Sequence, residues 1–312
     1  MSFSELLTEG AQAQAALARL AWDLDHPLMD VGIRELGKVW SFDLLRFTCA
    51  RPSDMEDFPE LSERLRGAFG AALHRQPQPV TATGRLRPHA RDILFAALGQ
   101  SETGEGHAKP VVIRGWIERQ HLIVELRLFG WAMAWRHEAA TAMLDALQSG
   151  VALKGGRRAL RCAVEPEHVE HRRVSFVDLP AGTSQARLRF RSPVGLRQRA
   201  RTHGDPRAIL AAALPRIERM ARWQACRLVV GGGWWKERLD RLQVSGENWR
   251  RLSWDRFTRN QGGTAVPMSG FLGDLVVDGW LDDVALVLAL AETCNVGSHA
   301  ALGMGWFDAV FY

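Results

Sequence analysis

Residues Cys294–Tyr312 read CNVGSHAALGMGWFDAVFY, and the parsing of this stretch decides the fold. It holds Gly297, Gly303 and Gly305 between two apolar segments. The segment before it, Trp280–Glu292 (WLDDVALVLALAE), has the length and spacing of a helix. The segment after it, Trp306–Tyr312 (WFDAVFY), is short, aromatic and strand-like. The chain therefore ends helix, glycine-rich loop, strand. Glycine permits positive φ and lets another backbone approach closely, which serves a tight turn or a ligand-contacting loop alike. A P-loop or dinucleotide fingerprint is excluded by context: no Lys-Ser/Thr follows, and the loop enters a strand where those motifs open a helix.

Working outward, the same half begins with a strand, Ala186–Ser192, that carries Arg187, Arg189 and Arg191 on one face and Leu188 and Phe190 on the other. A basic loop (Val194–Pro206), a helix (Arg207–Gln224) and two strands (Trp249–Arg259, Pro267–Asp278) lead to the closing helix and strand. The first half has the same order. Lys38–Ala50 is a strand. Phe58–Arg75 is a helix opened by Pro59, with Leu61, Leu65, Phe69 and Leu73 on one stripe, and its Gly67 and Gly70 suit close packing. Pro110–Ile117 and His121–Gly130 form a hairpin, Trp135–Leu147 a helix, and Ala159–Glu165 and Arg172–Asp178 further strands. Two β-α-β-β-α-β halves predict an α+β protein of two tandem ferredoxin-like (RRM-like) domains with an N-terminal helical extension. The expected boundaries are 1–37 for the alanine-rich extension, 38–178 for the first domain and 179–312 for the second, with Leu179–Ser184 as linker.

A chain of 312 residues with 46% hydrophobic and 24% charged residues suits two globular domains. No apolar run reaches the ~18 residues of a membrane helix. The N-terminus lacks the basic-then-apolar pattern of a secretory signal. Cys49, Cys162, Cys226 and Cys294 are scattered and show no CxxC spacing, which points to a reducing cytoplasm and away from zinc. Net charge is +5, but Gln185–Arg259 holds seventeen Arg and one Lys against six acids, a local +12. A basic segment inside an otherwise acidic chain points to a polyanion-binding face. The preponderance of Arg over Lys suits bidentate phosphate contacts and stacking on bases.

Several stretches, in order, resemble one family. These are Leu65–Arg75 (LRGAFGAALHR), Leu126–Arg136 (LRLFGWAMAWR), Arg189–Leu196 (RFRSPVGL), Arg256–Gly273 (RFTRNQGGTAVPMSGFLG) and the glycine loop Val296–Phe307. The chain resembles the RAMP superfamily, specifically the CRISPR-associated endoribonucleases that cut precursor crRNA within its repeats. The resemblance implies a metal-independent cut in which a 2′-hydroxyl attacks the adjacent phosphate and leaves a 2′,3′-cyclic end, with the product often retained. The alternative it implies is a catalytically inactive RAMP subunit that holds crRNA in an effector complex. CRISPR repeat RNA is the partner, with effector subunits or a second copy of the chain as further partners. No cofactor, metal or membrane is expected.

Such a cut needs a base, an acid and cationic stabilisation of the phosphorane-like charge. Histidine suits the first two. His74, at the end of the first helix where this superfamily commonly keeps its catalytic histidine, is the first candidate, and His299 in the glycine loop is the second. His89 is a weaker one. The pattern departs from relatives that pair histidine with tyrosine and lysine, because the single tyrosine, Tyr312, is the last residue. Arg66, Arg75 or an arginine of the second half is therefore expected to supply positive charge, with Arg66 the first candidate. Expected RNA contacts are Arg197, Arg199, Arg201, His203, Arg250, Arg251, Arg256 and Arg259 with Gly297, Gly303 and Gly305. Trp234, Trp235, Trp249 and Trp254 are candidate base stackers, although tryptophan on strands more often packs in a core.

Overall fold

The structure, a computed structural model, describes residues 3–50, 60–77, 87–95, 107–152, 159–162, 164, 169–175, 182–198, 201–257 and 265–312. In chain order the elements are α1 (Phe3–Asp25), β1 (Met29–Val31), α2 (Ile33–Val39), β2 (Ser41–Ala50), α3 (Leu61–Arg75), α4 (Ala90–Leu94), β3 (Val111–Glu118), β4 (His121–Phe129) and α5 (Arg136–Ser149). Next come β5 (Val151–Ala152), β6 (Ala159–Leu160), β7 (Val169–Ser175), β8 (Gln185–Phe190), β9 (Leu196–Gln198), β10 (Arg201–His203), α6 (Pro206–Ala211) and α7 (Ala213–Ala221). The chain finishes with β11 (Cys226–Leu228), α8 (Trp234–Asp240), β12 (Gln243–Phe257), β13 (Ala265–Asp278), α9 (Asp283–Cys294) and β14 (Phe307–Phe311).

These elements form two compact units. One comprises Met1–Val31, Val39–Ser175 and Arg219–Leu228; the other comprises Gly32–Lys38, Phe176–Glu218 and Val229–Tyr312. Each unit thus takes a short segment from the other half of the sequence. In the first unit, β11 runs parallel to β1, the Arg222 guanidinium donates to the carbonyls of Leu24 and Asp25 at the end of α1, and the Gln224 amide donates to the Ser41 carbonyl. In the second, Arg34 pairs with Asp282 and Asp283 at the start of α9, at 2.9 and 2.8 Å.

Each unit is built on a four-stranded antiparallel sheet of one topology. The orders are β3-β4-β2-β7 and β12-β13-β8-β14, second-third-first-fourth by position within the unit. This is the ferredoxin-like arrangement expected from the repeated β-α-β-β-α-β order. In the first unit, Leu61, Leu65, Phe69 and Leu73 are all buried on one stripe of α3. Each such side chain contributes about 1.5–3 kcal/mol by leaving water. Gly115 on β3 lets α3 approach, since a Cβ there would lie 2.3 Å from Leu65 Cδ1. Gly70 likewise admits the Phe95 ring, but Gly67 faces open space, so the close packing expected of it is absent.

In the second unit the helix expected over Arg207–Gln224 is broken into α6 and α7 followed by a 3-10 turn. Pro215 has no N–H to donate back one turn and its ring crowds the carbonyl there. The Ala211 carbonyl instead accepts from the Trp235 indole N–H at 2.9 Å. The expected basic loop contains a small antiparallel arm, β9 and β10. Of the strand expected over Ala159–Glu165, Ala159–Leu160 form β6, which pairs with β5 outside the main sheet. β12 starts six residues before the expected Trp249 and forms with β13 a ribbon much longer than its partner β8. Residues 179–181 of the linker, Pro59 at the expected start of the first helix, Arg199 and Arg259 lie outside the described residues. Among the described residues no helix is long and apolar enough to cross a membrane.

Candidate nucleic-acid interface

The glycine-rich loop of the second unit is sewn onto the segment that leaves β8. The Ser298 N–H donates to the Gly195 carbonyl (2.9 Å), the Gly305 N–H to the Pro193 carbonyl (2.9 Å) and the Val296 N–H to the Gly305 carbonyl (3.0 Å). The Ser298 hydroxyl accepts from the Arg197 N–H at 2.8 Å, and the Ser192 hydroxyl donates to the Gly303 carbonyl at 2.8 Å. Gly297, Gly303 and Gly305 have φ of 81°, 85° and 71°, where side chains are strained. A Cβ on Gly305 would sit 1.8 Å from the Val296 carbonyl oxygen, and one on Gly297 2.9 Å from that of Gly195. These glycines are therefore conformational requirements of the loop itself.

His299 sits at the crest in a left-handed conformation, φ 64°. Partial burial first, and then the guanidinium charges of Arg197 and Arg256, hold its pKa below the ordinary imidazole value. At neutral pH the ring is uncharged and lies in the field of these two permanent cations. Thus the structure brings together three of the expected residues, His299, Arg197 and Arg256, from the loop, the arm and the ribbon. It separates others. In the arm, Arg197 pairs with Thr202 and Gln198 with Arg201, so Arg201 and His203 share the face opposite Arg197. Along the ribbon Arg250 and Arg256 have one parity and Arg251 the other, and Arg251 reaches the Ser269 hydroxyl on the reverse face.

The β8 arginines meet carboxylates. Arg187 pairs with Glu247 (2.8 Å) and Asp274 (3.2 Å), Arg189 with Asp274 (3.7 Å) and Arg191 with Asp308 (2.6 Å). Among the described residues no carboxylate lies within ion-pair distance of Arg197, Arg201, Arg250 or Arg251. The candidate base stackers are engaged within the unit. Trp249 stacks on Phe271 and donates to the Gly204 carbonyl at 2.7 Å. Trp254 packs with Met268, Leu302 and Met304, which joins the ribbon to the glycine loop. Trp234 and Trp235 stack on each other.

In the first unit His74 is exposed at the end of α3. Arg66 lies two turns earlier on the same helix, about 12 Å along its axis at 1.5 Å per residue. Its guanidinium covers the Phe95 ring at 4.2 Å. Beside Arg66 is Lys109, whose pKa is held down to about 8 by burial and then by the Arg66 charge. The cation at His74 itself is Arg91, whose Nη1 stands 3.5 Å from His74 Nδ1. Neither Lys109 nor Arg91 belongs to a legible motif; only the packing of α4 along α3 places Arg91. His89 caps α4: its Nδ1 accepts from the Arg91 N–H at 3.1 Å, and its Nε2 lies 3.0 Å from the Gln76 carbonyl. With both ring nitrogens occupied, His89 has a structural role. Among the described residues no three His, Cys, Asp or Glu side chains gather to hold a metal ion.

The chain thus has two ferredoxin-like units, the second with a glycine-rich loop before its last strand. Residues 188–307 match the family model described as CRISPR-associated endoribonuclease Cas6. The fold is similar to a Cas6 product complex, with TM-score 0.52 and 17% identity over 88% of this chain and 100% of the other. It is also similar to a Thermus thermophilus Cas6, with TM-score 0.51 and 14% identity over 88% of this chain and 98% of the other. At such identity these two likenesses concern the fold. No curated protein matches the chain.

Proposed function

We propose that the protein binds CRISPR repeat RNA and cuts precursor crRNA without metal, by 2′-hydroxyl attack that leaves a 2′,3′-cyclic phosphate. The observation that carries this reading is the His299–Arg197–Arg256 cluster on the glycine loop, inside the stretch that matches the Cas6 family. A neutral imidazole can take a proton, and two fixed cations beside it can hold the phosphate whose charge grows in the transition state. His299 thus has the environment of a base, the role for which sequence reasoning favours His74. His74 is the candidate in the first unit, with Arg91 in place of Arg66 as its neighbouring cation. Arg197, Arg250 and Arg256 bind the RNA backbone, and Arg201 and His203 contact it from the other face of the arm. If six phosphates are neutralised, log affinity falls with log salt at a slope of roughly −5.

The likeness to a Cas6 product complex supports retention of the cut RNA. A second reading, a crRNA-holding subunit that has lost cleavage, is favoured by the lone tyrosine: Tyr312 ends the chain and is exposed. The test is cleavage of an end-labelled single-repeat RNA in EDTA by wild type, His74→Ala and His299→Ala. One cut by wild type, lost in His299→Ala with binding kept, supports His299 as base. Binding without a cut selects the second reading. Neither binding nor cutting removes both.

A further inference from the structure

We propose that Arg91 is a positioning residue that sets the tautomer of His74 and makes its ring a hydrogen-bond donor to RNA phosphate, not the proton acceptor of the reaction. The proposal rests on the reading that His74 meets the bound RNA. A guanidinium carries only donors and is never deprotonated in proteins. With Arg91 Nη1 at 3.5 Å, His74 Nδ1 therefore presents its lone pair, and the proton of the neutral ring sits on Nε2. A base would need the reverse, an open lone pair on Nε2 and an N–H on Nδ1. That N–H would point at a cation with nothing to accept it.

Arg91 is itself held. Its Nε donates to Asp92 Oδ1 at 2.8 Å and its Nη2 pairs with the same oxygen at 2.8 Å. Its backbone N–H donates to His89 Nδ1, and the His89 ring is anchored on the Gln76 carbonyl just beyond α3. The start of α4 is thus tied to the end of the helix that carries His74. The other charged group beside His74 in sequence, Arg75, is engaged with Asp145 of α5 at 2.8 Å. His74 is exposed, which leaves the Nε2–H available to a ligand.

Two substitutions of His74 separate the roles. A glutamine amide donates from nearly the reach of Nε2–H but cannot take up a proton. The expected result is that His74→Gln cuts repeat RNA within about tenfold of wild type while His74→Ala loses about a hundredfold or more, the range seen when one preorganised donor is removed. Equal loss in both would overturn the proposal. In RNA-free protein labelled with ¹⁵N-histidine, the His74 resonances should report the Nε2–H tautomer in wild type and a mixture in Arg91→Ala, with Arg91→Lys restoring the wild-type state. Arg91→Ala keeps the backbone N–H that caps α4, so the helix start survives. A wild-type Nδ1–H tautomer, or a spectrum unmoved by Arg91→Ala, would also overturn it. If His74→Ala cuts like wild type, the placement of His74 at the RNA fails and the proposal falls with it, whereas the tautomer is read independently of any cleavage.

Discussion

The arginines of β8 and those of the arm and ribbon belong to the same unit and the same basic stretch of sequence, yet they meet different surroundings. Arg187, Arg189 and Arg191 alternate along a strand, as their spacing predicts, and β13, β12 and β14 bring Asp274, Glu247 and Asp308 against them. Arg197, Arg201 and Arg250 project from a two-stranded arm and a long ribbon, with no carboxylate among the described residues at ion-pair distance. Counting charge along the chain treats the two groups alike. Strand pairing distinguishes them, because it decides which residue from a distant part of the sequence stands opposite. A neutralised row contributes little to the field felt by a polyanion, whereas an open one attracts it. In the proposed reading the ferredoxin-like sheet of this unit is the support, and the loop, arm and ribbon form the binding edge.

The largest expected effect comes from undoing the loop that holds the edge. Gly305→Ala places a Cβ within 1.8 Å of the Val296 carbonyl oxygen at φ 71°. Backbone strain and overlap together should cost roughly 3 kcal/mol or more, and RNA binding should fall with stability. Urea unfolding beside a binding assay checks this. A variant as stable as wild type that binds normally would mean that the loop geometry is not what sets Arg197 and His299.

Next is the direct contrast. Replacing Arg197 and Arg250 together by alanine should weaken repeat-RNA binding roughly 10- to 100-fold and flatten the log-affinity against log-salt slope by about 1.5. Replacing Arg187 and Arg191 together should change affinity by no more than about threefold, as for surface charges already paired. Equal losses from both pairs would erase the distinction between them. A smaller and sharper effect is expected of Asp274→Asn, which removes the carboxylate shared by Arg187 and Arg189. Stability should fall by about 1 kcal/mol, while RNA affinity rises a few-fold and the salt slope steepens. Unchanged affinity would mean that distance from the RNA, not neutralisation, keeps β8 out of the interface.

Much of the scaffold is legible because it obeys local periods. The alternation of Ala186–Ser192, the stripe Leu61–Leu65–Phe69–Leu73 and the apolar run before Cys294 each give their element directly. Three kinds of feature are not. The arm Leu196–His203 is too short to show alternation. Pro215 breaks a helix whose flanking residues are good helix formers, and only Trp235, from another element, satisfies the released carbonyl. The partners that decide function lie far away in sequence: Asp274 from Arg187, Ser298 from Arg197, and Arg91 from His74. Sequence reasoning therefore finds the histidines and arginines of the candidate site but not which of them are neutralised, tied or set side by side.

The smallest effect tests whether Arg197 and Arg256 act on His299 itself. Its folded-state pKa lies below the ordinary value of about 6.5, so between the two values the unfolded chain binds more protons than the folded one. Stability should therefore be flat with pH above about 6.5 and should decline as pH falls below it, because a charged imidazolium must then be held partly buried and in the field of Arg197 and Arg256. Urea midpoints at pH 8, 7, 6 and 5.5 should show this acid-side loss in wild type and its absence in His299→Gln. Arg197→Ala should shrink the loss by removing one of the two cations, and Arg187→Ala should leave it unchanged. Bound RNA should shrink it too, because a phosphate beside the ring favours the charged form and offsets the two guanidiniums. If Arg187→Ala moved the profile as much as Arg197→Ala, the neutralised row would be contributing to the field at the loop, and the two sets of arginines would differ in position alone.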